Sequence, residues 1–163
     1  MLDETTQAEP GVPRAMRALL LLILTLGMLG TAADLLLLDH YENVWQVVPL
    51  VLIATGLATV AAVTLRSGWL WIAALRIVMV LFLAAGALGI LLHYRGNSEF
   101  QREMDPSLDG WALVVKVMTA KAPPALAPAS MMQLGMIGLL YTYRHPALTR
   151  SLSLSNQSNS SGV

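Results

Sequence analysis

Hydrophobic and polar positions fall in long blocks along this chain, with no residue-by-residue alternation. A polar, proline-bearing opening (residues 1–13, MLDETTQAEPGVP) gives way to a 24-residue run, Ala15 to Leu38, whose only charges are Arg17 near its start and Asp34 near its end. A second run, Val44 to Leu65, carries Pro49 close enough to its beginning for the first two turns of a helix to absorb it. After the link RSG a third run extends from Trp69 to His93. The prolines of APPALAP (122–128) stop any helix from running through them, so the fourth apolar stretch is placed at 125–143 with Pro128 in its opening turn. Runs of this length match what a hydrocarbon layer of about 30 Å requires of a helix. The pattern predicts an all-α, polytopic membrane protein, a bundle of four transmembrane helices within residues 14–150.

Between the third and fourth runs, residues 94–124 are polar or amphipathic. Leu108, Trp111, Val115 and Met118 recur there at three- and four-residue spacing, with Asp109, Lys116 and Thr119 between them. That spacing predicts a helical insertion on the outer side, lying on the membrane surface with tryptophan at headgroup level or packed internally.

Composition agrees with the pattern. Hydrophobic residues make up 56% of the chain and charged residues 12%, which sets it apart from soluble domains. Ten basic and ten acidic residues cancel, and the basic ones are scattered, so no cationic face meets nucleic acid. The absence of cysteine excludes disulfides, thiolate metal sites and cysteine nucleophiles. Arg14, Arg17, Arg66, Arg144 and Arg150 flank span ends on one side, whereas Arg95, Arg102, Lys116 and Lys121 fall on the other. The positive-inside rule then places both termini in the cytoplasm of a bacterial-type inner (plasma) membrane. The serine- and asparagine-rich segment 151–163 reads as a disordered tail. The first run also resembles a secretory signal, with small residues at TAA (31–33) as a cleavage site. Cleavage would leave DLLLLDHY as a stub with no helix behind it, and the uncleaved span is the better reading.

Two stretches echo each other: LLDHYEN (37–43) and LLHYRGN (91–97). Both close odd-numbered spans, which suggests two helix pairs related as a parallel 2+2 repeat. Around the first lie Asp34, Asp39, His40, Tyr41 and Glu42, and around the second His93, Tyr94, Glu99, Glu103 and Asp105. Nitrogen and oxygen donors of this kind suit zinc, manganese or iron, so His40, His93, Glu42, Glu99 and Glu103 form a candidate metal site. Met131 and Met132 would add donors for copper(I), and two histidines could ligate a haem, the poorer fit. No spacing matches a diagnostic motif, and the bland alternative is a set of interfacial anchors and hydrated carboxylates.

Two intramembrane charges need explanation. Arg76 lies about 10 Å from the cytoplasmic end of its span and Asp34 about 29 Å into its own, so they cannot pair. Arg76 is expected to snorkel toward headgroups, or else to face the bundle interior. Small-residue faces at Gly27 with Thr31, at Ala54, Ala58 and Ala62, and at Ala85 with Gly89 allow close helix approach, within the bundle or against a partner. No nucleophile elbow, phosphate loop or nucleotide fingerprint is present, which argues against an enzyme. The expected function is an accessory, assembly or scaffold subunit of a membrane complex. Its partners would be the lipid bilayer and other membrane subunits or a second copy. The alternatives are a metal- or haem-binding redox component and a small-solute permease.

Overall fold

The computed structural model describes residues 13–39, 41–66, 68–120 and 126–148, apart from the side chains of residues 126 and 127. The described residues form five helices and no strand: α1 (Arg14–Leu37), α2 (Val44–Leu65), α3 (Trp69–Met104), α4 (Gly110–Met118) and α5 (Leu126–Thr142). Three of them, α1, α2 and α3, are long and apolar enough to cross a membrane. The chain is thus a helical membrane protein. The fifth helix has 17 residues, about 26 Å of rise.

Local chemistry sets the helix ends. Pro13 precedes α1, where its missing N–H costs nothing. Past the other end of α1, Asp39 takes a left-handed φ of 50°, a conformation that aspartate tolerates better than most residues. A reciprocal capping box opens α2: Asn43 Oδ1 accepts from the Gln46 N–H at 3.1 Å, and Gln46 Oε1 accepts from the Asn43 N–H at 3.2 Å. Pro49 lies inside α2 and leaves the Trp45 carbonyl without its helical donor. The Arg66 guanidinium stacks 5.2 Å over the Trp71 ring across the next turn.

α3 departs from expectation. It was expected to end at His93; instead it runs unbroken through His93, Tyr94 and Gly96 to Met104, about 54 Å in all. Pro106 stops it by forcing Asp105 into extended geometry (φ −145°, ψ 95°). The Asp105 carboxylate then accepts from the Ser107 hydroxyl at 2.6 Å and from the Ser107 N–H at 3.0 Å, which holds its pKa below the usual value. The chain doubles back into α4, whose first residue, Gly110, has φ 48°. α4 buries Leu113 and Val117 where it packs against α3, and turns Trp111, Val115 and Met118 outward. The apolar face expected from the spacing is therefore present but exposed. Leu108 is half-buried in the preceding turn.

α1 packs against α2 and α5, and α3 packs against α2, α5 and α4. Leu24, Met28, Ile53, Leu75, Met79, Phe82 and Leu134 form the core. Leu22, Leu26, Val51, Ile77, Val80 and Leu140 face outward, a surface suited to hydrocarbon. Glycines set the closest approaches. A Cβ on Gly86 would stand 2.7 Å from the Pro128 carbonyl oxygen, and one on Gly135 2.8 Å from the Met79 carbonyl oxygen, so α3 and α5 meet nearly backbone to backbone. Gly89 lies against Pro128, Gly27 seats Leu134, and Gly56 makes room for Met28 and Phe82. The alanines of α2 are placed differently: Ala54 and Ala58 are exposed and Ala62 is half-buried, while Ile53, Gly56 and Val60 point inward.

Candidate functional site

The end of the bundle that carries the α1–α2 turn holds a cleft of about 690 Å³, reached by α1, α2, α3 and α5. Its polar lining comes from Thr31 and Asp34 on α1, Asn43 and Gln46 at the start of α2, His93 on α3 and Ser130 on α5. Gly30, Pro49, Ala85, Gly86 and Met131 line its deeper part, about 6 Å below Asp34 on α1 and about 10 Å below His93 on α3. The space exists because small residues face it: nothing lies within 4 Å of where a Cβ on Gly30 would stand. An apolar floor under a ring of polar groups is the usual build of a small-molecule site. Among the described residues that line it, Asp34 is the one carboxylate and no lysine or arginine occurs. The capping box engages the side-chain oxygens of Asn43 and Gln46, and Gln46 Oε1 also accepts from the Glu42 N–H at 2.8 Å.

The opposite end is closed by Arg17. Its side chain is 8% exposed and donates to the carbonyls of Tyr141 (2.7 Å), Tyr143 (3.2 Å) and Arg144 (3.1 Å), in the last turn of α5 and just past it. The Tyr141 and His145 rings lie 5.7 Å apart beside it. Burial and the nearby Arg17 charge hold the His145 imidazole below its ordinary pKa.

The residues singled out by the sequence separate into groups. Asp34, Thr31, Ala85, Gly89, His93 and Met131 share the cleft, and Met132 packs at Gly86. His40 lies outside the described residues. Glu42 is exposed in the α1–α2 turn, where the Tyr41 hydroxyl donates to Asp39 at 2.7 Å and has its pKa raised by that bond. Glu99 and Glu103 are exposed about 9 and 15 Å beyond His93 along the continuous α3, too far along one rod to join it around a single ion. Among the described residues no three histidine, cysteine, aspartate or glutamate side chains gather to hold a metal. Tyr41 stands in a turn, whereas His93 and Tyr94 stand within a helix, so the two echoing stretches differ in local structure. Arg76 is exposed on the outer side of α3.

Three features escaped the sequence reading. The N-x-x-Q of Asn43 and Gln46 ahead of an apolar run is a legible capping signature. Gly30 and Trp45, both cleft residues, carry no local mark. Arg17 reads locally as a topology charge, since its partners lie more than 120 residues away.

No protein-family model matches the chain, and no curated protein or solved structure is similar enough to count as a relative. The class rests on the chain itself: a helical membrane protein with an interhelical cleft near one end of its bundle.

Proposed function

We propose that α1, α2, α3 and α5 are four spans of a bacterial-type inner-membrane protein, with both termini cytoplasmic and the cleft opening toward the other side. In this reading the protein holds an amphipathic small molecule between its helices, as a binding or carrier component with no reaction of its own. The observation that carries the binding role is the cleft, with polar groups at its mouth and small apolar residues at its floor. The four-span arrangement draws support from Arg17, which brings the start of α1 to the end of α5, and from the basic residues flanking that end.

Native mass spectrometry of the protein released from mild detergent tests the binding role. A small-molecule adduct is expected on the natural chain and not on Gly30→Leu, whose side chain starts from a Cβ with nothing within 4 Å and takes up space on the cleft lining. An adduct retained undiminished by Gly30→Leu would remove the binding role. A second reading, the accessory subunit, is favoured by the outward placement of Ala54 and Ala58, a surface another helix could approach closely.

A further inference from the structure

The chemistry of the cleft mouth narrows the ligand, and the inference rests on the binding role just proposed. Asp34 supplies the one carboxylate among the described lining residues, no lysine or arginine there offsets it, and His93 is the one lining side chain that can take up a proton to become cationic. It lies in the last turn of α1, which contains no basic residue and where the helix dipole is negative, so backbone and side chain act with the same sign. The positive end of α2 beside it is capped by Asn43 Oδ1. Trp45 and Pro49 line the same cleft, so an aromatic residue stands on its wall together with Asp34. A carboxylate and a tryptophan together suit a cation, and the apolar floor suits a hydrophobic body attached to it.

We infer that the cleft takes a lipophilic organic cation, its charge at Asp34 and Trp45 and its apolar body against Gly30, Ala85 and Met131. An anionic lipid phosphate is the opposite case and finds no lysine or arginine there among the described residues.

Equilibrium dialysis of the purified full-length protein in lipid nanodiscs, corrected with empty discs, tests this with two probes of one shape and opposite charge. The probes are tetraphenylphosphonium and tetraphenylborate. Saturable binding of the phosphonium is expected. It should weaken about threefold in Asp34→Asn, recover in Asp34→Glu and vanish in Gly30→Leu, and the borate should not compete. Phosphonium binding unchanged by Asp34→Asn, borate binding of equal strength, or no saturable phosphonium binding would each overturn the cationic assignment. If Gly30→Leu removes a bound molecule while Asp34→Asn has no effect, the cleft stands and the cation fails. If Gly30→Leu changes nothing, both fail.

Discussion

A buried guanidinium at the start of a membrane helix is costly unless its donors are used, and Arg17 uses them on three carbonyls at and just past the end of α5. His145 sits within the influence of that charge, and its depressed pKa has a consequence for stability. The unfolded chain takes up a proton near 6.5, whereas the folded chain does so only at lower pH. Stability from the neutral imidazole is therefore full above about 6.5 and declines as the pH falls below it. Thermal unfolding in detergent between pH 8 and pH 5 should show a steeper acid loss for the natural chain than for His145→Gln; equal slopes would dismiss the effect. Arg17 and Arg76 look alike in the sequence, each a lone cation in an apolar run. One is buried at a helix end and the other exposed on α3, because a contact 124 residues distant leaves no mark on its neighbours.

Helix boundaries were legible where hydropathy and helix ends coincide. α2 occupies Val44–Leu65, the predicted run, and α1 differs from its predicted run by one residue at each end. The end of α3 was not legible, because the loss of apolar residues after Leu92 marks a change of surroundings and only Pro106 stops the helix. The α3–α5 seam was half legible: Ala85 and Gly89 stood out, whereas Gly86, Gly135 and Gly138 did not, since each is identified only by the helix opposite. A contrast of two glycines follows. Gly86→Val sets a side chain against the Pro128 carbonyl oxygen, which cannot swing aside, and should cost about 1–3 kcal/mol in unfolding measurements. Gly30→Leu places its Cβ where nothing lies within 4 Å and should hold or gain up to about 1 kcal/mol through helix propensity. Equal losses at the two positions would contradict the tight seam and the open cleft alike.

For the molecule as a whole, the absence of cysteine provides a clean background for single-cysteine labelling. The proposed topology expects Glu42→Cys and Ser107→Cys to react with an impermeant maleimide from outside the cell, and Arg66→Cys and Pro146→Cys only after permeabilisation. Labelling of Pro146→Cys from outside would take α5 out of the count of spans. In the same membranes, cross-linking of Ala58→Cys to itself or to another protein is the result the accessory-subunit reading expects. The clasp at Arg17 also imposes an order on biosynthesis. The first of its acceptors is translated 124 residues after it, about 6–25 s at ribosomal rates of ~5–20 residues per second. Through that interval water and headgroups serve the Arg17 guanidinium at the start of α1, and only the arrival of the last helix exchanges them for carbonyls and closes that end of the bundle.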